Sequence, residues 1–293
     1  MLSILIPTYN YNVCNLVNEL NNQALYNNIE FEIIVLDDAS NIYLQENNKI
    51  NELENCSYKI LENNIGRSKI RNLLAEKAKF SWLLFLDADV IPKFSSFLKN
   101  YIDYIDNEIK IVNGGIEYQK EKPEKAKIFR WLYGVKRESV NFRKRAEKPY
   151  LRFLTLNFLI HKSIFETVKF NEELPNLRHE DTVFSYDLMQ RNIKILHIDN
   201  PIIHLGIDNF EIAIKKEQQS VIALKNLIDK KLISKEYVSI SKMYFKIRKY
   251  KLLFIFKLLF SLFEKKILKN LSSNNPSLLL FDLYRISYLC TLK

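Results

Sequence analysis

Short apolar runs alternate with stretches of helical periodicity along the first third of the chain. The apolar runs have the length of strands, and the run at 82–86 contains no polar residue, as expected for a strand buried on both faces of a parallel sheet. The predicted strands are 2–6, 31–36, 58–61, 82–86 and 109–112, and the predicted helices are 13–26, 44–53, 67–79 and 94–106. Strands that alternate with helices of this length predict βαβ units and a mostly parallel sheet.

The pattern weakens in the middle of the chain. Residues 118–150 have many charges and little apolar periodicity, which predicts a long loop with a short helix at 129–135. Beyond this loop the pattern predicts a strand-like segment at 150–160, a helix at 182–191 and a strand at 193–197.

The C-terminal part has a different pattern, because residues 243–268 predict one amphipathic helix with a wide apolar face. Its longest apolar stretch, 252–263, is interrupted by Lys257 and is shorter than the roughly 20 residues that cross a bilayer. Two explanations of the apolar face remain open. The helix lies in the plane of a membrane surface, or it packs against the rest of the protein or a second subunit.

The charge of the chain is concentrated in the same region. The net charge is +10, and residues 243–293 contribute +8 of it, with ten Lys or Arg and two acidic residues. The remainder of the chain is close to neutral. This asymmetry favours an anionic membrane surface as the partner of the tail and argues against a body that binds nucleic acid.

Composition restricts the class of protein further. Hydrophobic residues make up 47% and charged residues 27%, which indicates a folded globular chain. Cys14, Cys56 and Cys290 are widely separated and indicate neither a disulfide framework nor a zinc site, so a reducing cytoplasm is expected. The first residues lack the pattern of a signal peptide, so secretion is not expected.

Polar residues follow three of the predicted strands, in the segments 7–10, 37–40 and 87–89. The carboxyl ends of parallel strands meet at one edge of a sheet, which is where open α/β sheets bind ligands. Asp87 and Asp89 are two residues apart, so in extended geometry their carboxylates point to the same side and can hold a hard divalent cation. The alternative is that both acids only cap a turn before Pro92.

Six separated segments resemble motifs of the family 2 glycosyltransferases. The motifs of the nucleotide-sugar half are SILIPTYN (3–10), EIIVLDDAS (32–40), NNIGRSKIRN (63–72) and FLDADV (85–90). Those of the acceptor half are RHEDTVFSYDL (178–188) and PIIHLG (201–206). Each motif is weak alone, but their order and spacing match the family over roughly residues 1–210.

The resemblance implies a GT-A fold, in which a Rossmann-like, mostly parallel sheet is flanked by helices. It implies a glycosyltransferase domain at 1–210, with a nucleotide-sugar half at 1–105 and an acceptor half at 106–210, followed by a basic helical region at 211–293. The implied enzyme is a metal-dependent, inverting glycosyltransferase of the hexosyltransferase type. Its donor would be a nucleoside diphosphate sugar, with a UDP-sugar expected, and its acceptor a saccharide or lipid-linked saccharide hydroxyl.

The resemblance also implies a set of donor-binding residues. Asp38 would accept a hydrogen bond from the nucleobase, whereas Asp37 is equally explained as a turn or helix cap. Gly66 would permit a tight turn. Arg71 would reach the nucleotide or brace the acidic edge of the sheet, and the alternative is a solvated arginine on the face of the helix. The remaining implied donor contacts are Pro7, Thr8, Asn10 and Asp87.

On the acceptor side, the resemblance makes Asp181 the general base that takes the proton of the acceptor hydroxyl. The alternative is that Glu180 and Asp181 simply occupy the first turn of a helix, where acids are common. Asp89 and His204 would be ligands of Mn²⁺ or Mg²⁺. The expected role is polysaccharide or glycolipid synthesis at the cytoplasmic face of the cell membrane.

Two other functions remain open at this point. A nucleotidyltransferase that makes the activated sugar would need a Gly-rich, basic loop near the N-terminus, and SILIPTYNYN has neither Gly nor Lys. A non-catalytic, membrane-associated scaffold could retain the fold. Intact Asp87, Asp89, Asp181 and His204 argue against the scaffold, and hydrolysis of a donor would separate the two.

Overall fold

The computed structural model describes residues 1–105, 108–174, 176 and 178–292. Its strands are β1 (Leu2–Thr8), β2 (Phe31–Asp37), β3 (Cys56–Ile60), β4 (Trp82–Leu86), β5 (Val90–Pro92), β6 (Ile111–Asn113), β7 (Ile116–Tyr118), β8 (Asn157–His161), β9 (Leu196–His197) and β10 (Ile202–His204). Seven of them form a sheet in the order β3-β2-β1-β4-β8-β6-β9, and β5-β10-β7 form a smaller sheet. In the larger sheet four of the six described pairings are parallel. The predicted α/β fold with a mostly parallel sheet is confirmed.

Twelve helices flank or follow these strands in the described part of the chain. They are α1 (Cys14–Tyr26), α2 (Leu44–Asn48), α3 (Arg67–Lys77), α4 (Phe97–Ile102), α5 (Ile128–Tyr133), α6 (Phe142–Ala146), α7 (Lys162–Val168), α8 (Glu180–Gln190), α9 (Phe210–Asp229), α10 (Ser239–Lys249), α11 (Leu253–Leu271) and α12 (Leu278–Thr291). The helix predicted at 94–106 is shorter than expected, and its predicted last residue, Asp106, lies outside the described residues. The predicted loop at 118–150 contains more helix than expected, including α5 and α6.

The central strand β4 is buried along its whole length, as its apolar sequence predicts. It pairs in parallel with β1, and the β1–β2 pairing ends with Thr8 opposite Asp37. The carboxyl ends of these three strands therefore lie side by side. This edge of the sheet holds the polar segments that the sequence singles out.

The strand expected at 150–160 is present only as β8, which begins at Asn157. The carbonyl groups of two residues before β8 accept hydrogen bonds from outside a strand ladder. The Leu154 carbonyl accepts a hydrogen bond from Asn113 Nδ2 at 2.9 Å, and the Leu156 carbonyl accepts one from the backbone N–H of Asp87 at 3.2 Å. These bonds replace a strand ladder and hold the segment against the ends of β6 and β4.

An aromatic cluster forms the core on one side of the large sheet. Phe85 stacks on Phe158 with ring centroids 4.9 Å apart, and Phe170 stacks on Phe184 at 4.5 Å. Phe165 lies between them, 5.2 Å from Phe85. These rings connect β4 and β8 with α7 and α8, so the start of α8 is held by its packing on the sheet.

Arg145 is a buried cation whose guanidinium is stabilised by hydrogen bonds to backbone carbonyl groups. Its guanidinium donates to the carbonyls of Asn113, Gly114 and Ile198 at 3.2, 3.0 and 2.7 Å, and to Nδ1 of His197 at 2.9 Å. Burial lowers the pKa of Arg145 to about 10. The contacts join α6 to β6 and β9. They explain why this charged part of the predicted loop at 118–150 is packed against the sheet.

The helical segments form a unit of their own, made mainly of Gln119–Glu138 and Ile207–Lys293, whereas the unit that contains the sheets ends at Gly206. Apolar residues of α5, α9, α11 and α12 share one core in the helical unit, with Phe129, Ile214, Leu271 and Phe281 at its centre. The inner side of α11 is therefore packed against protein. None of the described helices combines the length and apolar content that crossing a bilayer requires.

The single helix predicted at 243–268 is wrong, because α10 ends at Lys249 and α11 begins at Leu253. Between them Lys251 has a left-handed conformation (φ +59°), and the N–H of Leu252 bonds back to the carbonyl of Ile247. A helix end of this kind normally has Gly or Asn at the left-handed position. The sequence has Lys there, and the apolar periodicity continues across the break.

His197 gives a testable acid sensitivity. It is buried, accepts from Arg145 and donates from Nε2 to the carbonyl of Pro149, and burial lowers its pKa from 6.5 to about 4. The neutral imidazole thus stabilises the fold above pH 6.5, and this stability is lost as the pH falls towards 4. The free energy of unfolding should drop by about 3 kcal/mol from this group. Urea denaturation at several pH values measures it.

The control for this effect is the variant His197→Asn, which cannot titrate in this range. Its stability should fall less steeply between pH 6.5 and 4 than that of the unchanged protein, since the carboxylates contribute equally to both curves. Parallel curves would show that His197 does not cause the acid sensitivity.

Candidate active site

The loops after β1 and β2 are tied together at the edge of the sheet. The backbone N–H of Asn10 donates to Ser40 Oγ at 2.6 Å, and Asn10 Oδ1 accepts from the N–H of Asn41 at 2.9 Å. Thr8 is buried, and its carbonyl accepts from the N–H of Asp38 at 2.9 Å. Thr8, Asn10 and Asp38, which the sequence assigns to one site, are thus neighbours, and Pro7 precedes them at the end of β1.

The two adjacent acids after β2 have different environments. Asp37 is fully buried, where it accepts from the N–H of Ser40 at 2.8 Å and from the Tyr58 hydroxyl at 2.6 Å. Asp37 therefore has the turn contact that the sequence analysis considers. Asp38 accepts from the N–H groups of Ile65 and Gly66 at 2.7 and 3.0 Å, so it holds the loop that leads into α3.

Gly66 is the residue before α3 and has φ +83°, a conformation that side chains other than that of glycine rarely adopt. Because of this turn, α3 starts directly beside Asp38. Arg71, one turn further along α3, is then aimed at the carboxyl end of β4.

Arg71 joins Asp87, which follows β4, to Glu180, which begins α8. Its guanidinium is buried and donates to Asp87 Oδ1 at 2.7 Å, while a second nitrogen lies 3.6 Å from Glu180 Oε1. Burial alone would lower the pKa of Arg71, but Asp87 and Glu180 outweigh it and raise the pKa above its ordinary value, so the cation is permanent. A buried cation between two acids holds the start of α8 against the end of β4.

Asp89 and His204 meet through the small sheet. His204 lies opposite Val90 in the β5–β10 pairing, and its Nε2 is 3.4 Å from Asp89 Oδ2. The N–H of Leu205 donates to the Asp89 carbonyl at 2.8 Å. Two residues after His204, a Cβ at Gly206 would overlap the Asp89 carboxylate, so any other residue there would require this carboxylate to move.

The Asp89–His204 pair fits part of a divalent-metal site. A carboxylate oxygen and an imidazole nitrogen suit Mn²⁺, and the buried Nδ1 of His204 has no hydrogen-bond partner in the described structure. The described residues contain no group of three or more His, Cys, Asp or Glu side chains arranged to hold a metal ion. A cation here would take its other ligands from water and from a bound phosphate group.

Asp181 lies in the first turn of α8, next to Glu180. Its Oδ1 accepts from the N–H of Thr182 at 2.7 Å, and its charge contributes to the raised pKa of Arg71. The helix N-terminus stabilises the ionised carboxylate. Glu180, by contrast, is paired with Arg71 and also lies 3.7 Å from Arg67.

Sequence reasoning missed three residues near these groups. Gly206 is the last residue of the motif PIIHLG, in which only His204 was assigned a role. A glycine two residues after a predicted metal ligand could have indicated a close approach of another group. Tyr118 stacks on the His204 ring at 5.5 Å, and Tyr11 is close enough to Asp89 that the carboxylate, after burial, helps to raise the Tyr11 pKa. Neither tyrosine has a sequence signal, because its neighbours come from distant segments.

Comparisons with known proteins point to one family. The family model described as glycosyl transferase family 2 matches residues 3–168. The crystal structure of S. aureus TarS 1–349 in complex with UDP-GlcNAc is similar, with 21% identity, a TM-score of 0.52, and coverage of 77% of this chain and 66% of that one. A search of curated proteins gave no match.

A second similar structure is the mannosyltransferase PcManGT from Pyrobaculum calidifontis in complex with GDP-Man and Mn²⁺. It has 13% identity and a TM-score of 0.53, and the match covers 78% of this chain and 64% of that one. The chain thus spans just under two thirds of the length of both structures. At these identities the likeness concerns the fold.

Arg71→Met tests the bridge between Asp87 and Glu180. The change leaves two acids without their shared cation, so the free energy of unfolding should fall by about 3–5 kcal/mol. Arg67→Met is the matched control, because Arg67 approaches the same Glu180 but has 48% of its side chain exposed. It should cost at most about 1 kcal/mol. Equal losses in urea denaturation would show that Arg71 is not the bridging residue.

Proposed function

This chain belongs to glycosyl transferase family 2, and we propose that it transfers a sugar from a nucleoside diphosphate sugar to a hydroxyl group of a saccharide or lipid-linked saccharide. The observation that supports this most is the single edge of the sheet where the Asp89–His204 pair and the Arg71-linked acids lie. A transferase needs a site for a diphosphate beside a base for the acceptor. This edge offers both kinds of group.

The nucleotide is proposed to bind at the ends of β1 and β2. Pro7, Thr8 and Asn10 would line the nucleotide, and Asp38 would accept an N–H of the base. Carboxylate oxygens can accept more than one hydrogen bond, so the contacts of Asp38 with Ile65 and Gly66 are compatible with this role. A UDP-sugar is the proposed donor, and the UDP-GlcNAc complex of the similar TarS structure supports a nucleotide sugar of this class.

Asp89 and His204 are proposed to hold Mn²⁺ or Mg²⁺ with the donor diphosphate. A bound divalent cation supplies charge that neutralises the departing diphosphate. Gly206 leaves room for the Asp89 carboxylate at this point, and Tyr118 orients the His204 ring by stacking on it. Asp87 would contact the ribose or support the cation site while Arg71 fixes its orientation.

Asp181 is proposed to be the general base. Glu180 is engaged by Arg67 and Arg71, so its carboxylate serves to hold α8. The adjacent Asp181 occupies the position to which the family resemblance assigns proton transfer from the acceptor. An acceptor hydroxyl that is deprotonated by Asp181 would attack the sugar carbon from the side opposite the diphosphate. One displacement of this kind inverts the configuration at that carbon.

We further propose that the protein is peripheral on the cytoplasmic face of the cell membrane and acts in polysaccharide or glycolipid synthesis. The support is the charge of +8 in residues 243–293. Glycosyl transfer and membrane binding are separate proposals, because every residue assigned to transfer lies before Gly206. Hydrolysis of UDP-sugars by the purified protein tests the first proposal directly. Complete absence of hydrolysis and transfer would favour a scaffold.

Asp89→Asn removes an anionic metal ligand while keeping the size of the side chain. We expect transfer to be nearly abolished and donor binding to lose its dependence on Mn²⁺, measured by calorimetric titration with and without the cation. Asp103→Asn on the exposed end of α4 is the control and should behave like the unchanged protein. Unchanged Mn²⁺ dependence in Asp89→Asn would contradict the metal assignment.

Asp181→Asn should affect a different step. Donor affinity should persist, while kcat falls by about 10² or more, the usual scale for loss of a general base. Asp187→Asn, on the same helix, serves as the control because Asp187 is not assigned to the reaction. Full turnover in Asp181→Asn would remove this residue from the mechanism.

A further inference from the structure

The two sides of α11 have different surroundings. On the inner side, Phe256 packs against the cluster around Tyr244 and Ile247, and the ring of Phe260 lies 5.5 Å from that of Tyr284. Further along, Ile267 is buried in the core of the helical unit. Packing against protein therefore accounts for one half of the wide apolar face that the sequence shows.

The outer side of α11 is apolar and exposed. Phe254, Ile255, Leu258 and Leu262 have 74%, 50%, 47% and 60% of their surface accessible. At about 100° per residue they occupy an arc of roughly 100° on the helix. A contiguous exposed strip of this kind is unusual on a soluble surface and indicates an interaction site.

The turn between α10 and α11 extends this strip. Tyr250 is 67% exposed and Leu252 is 37% exposed. Both belong to the turn that the left-handed residue Lys251 forms directly before α11. The turn thus adds an exposed, amphipathic aromatic ring and an exposed aliphatic side chain just before α11 in the chain. Tyrosine is a residue type that favours the boundary between a membrane and water.

Positive charge surrounds the strip. Residues 239–269 contain nine Lys or Arg and one acid. The exposed cations are Lys242, Lys246, Arg248, Lys249 and Lys251 before α11 and Lys257, Lys265, Lys266 and Lys269 along it. Lys265 and Lys269 point in the same direction around α11 as the apolar strip, at about 100° per residue, and Lys251 lies in the turn before the helix. The site is therefore basic at both ends and apolar in the middle.

We propose that this surface, formed by the α10–α11 turn and the outer side of α11, is an interfacial site for an anionic bilayer. Phe254, Ile255, Leu258 and Leu262 enter the boundary between headgroups and acyl chains, while the lysines bind lipid phosphates. The inference rests on the membrane association proposed above and names the surface and the orientation responsible: α11 lies flat, with its outer side towards the lipid.

Charge distinguishes a bilayer from the other possible occupants. A second copy of this chain would bring the same positive surface against itself in a symmetric contact, and like charges would repel. A nucleic acid would match the lysines but would leave Ile255, Leu258 and Leu262 without an apolar partner. An anionic bilayer satisfies both the charges and the apolar strip.

The test measures co-sedimentation of the full chain with phosphatidylcholine vesicles. The vesicles are prepared with and without about 30% phosphatidylglycerol as the anionic lipid. We expect binding to the anionic vesicles only, weakening as salt increases because the lysine charges are screened. The triple variant Phe254→Ser, Leu258→Ser, Leu262→Ser should bind at least about tenfold more weakly at every salt concentration. Leu25→Ser with Tyr26→Ser, two exposed residues of α1, is the matched control and should bind normally.

A second variant separates the charges from the apolar strip. Lys246→Gln, Lys249→Gln and Lys251→Gln together should reduce binding at low salt by about fivefold for each lysine and flatten the dependence on salt. Melting temperatures of all variants should match the unchanged protein, because every altered side chain is exposed. Normal vesicle binding by the variant with Phe254→Ser, Leu258→Ser and Leu262→Ser would overturn the proposal. It would also be overturned if the unchanged protein formed a dimer in ultracentrifugation and this variant did not.

Donor hydrolysis is measured on the same samples. It should be unchanged in both variants in the absence of vesicles. Vesicle binding without hydrolysis would contradict the proposed transferase activity alone, whereas hydrolysis without vesicle binding would contradict the membrane surface alone.

Discussion

The ion pair of Arg71 with Asp87 and Glu180 is the interaction on which the site depends. A buried guanidinium loses its hydration, and the partners that compensate Arg71 are two carboxylates, so the fold must bring the end of β4 and the start of α8 to the same cation. Arg71 also lies 5.5 Å from the ring centre of Phe170, which connects it to the aromatic core. The positions of Asp87 and Glu180 thus depend on their ion pairs with Arg71 and on the packing of Arg71 against the aromatic core.

The small sheet provides the second constraint. Asp89 follows the main sheet, whereas His204 comes from a strand more than 100 residues later, and their approach requires the β5–β10 pairing. Gly206 leaves room for the Asp89 carboxylate in its observed position, because a Cβ there would overlap the carboxylate and require it to move. A short irregular sheet and one glycine therefore decide whether two potential metal ligands meet.

The helical unit follows a different principle. Its helices are more apolar than their mutual packing requires, since α11 is packed on one side and exposed on the other. Apolar surface left in water has a free-energy cost, so an exposed strip bordered by lysines indicates a partner with both apolar and anionic character. Stability and the proposed membrane contact are in this way divided between opposite sides of one helix.

The sequence by itself determined the α/β class, the end of β4 at Leu86, the ends of β1 and β2 to within two residues, and the motifs that identify the family. These features depend on local patterns of apolar residues, which are readable without knowing neighbours in space. Two features could not be predicted from periodicity. The break between α10 and α11 depends on the left-handed conformation of Lys251 and a local hydrogen bond, and the start of β8 depends on long-range hydrogen bonds to the carbonyls of Leu154 and Leu156. Only the tertiary structure decided that Arg71 serves two acids and that His204 faces Asp89, since both depend on contacts between residues far apart in the chain.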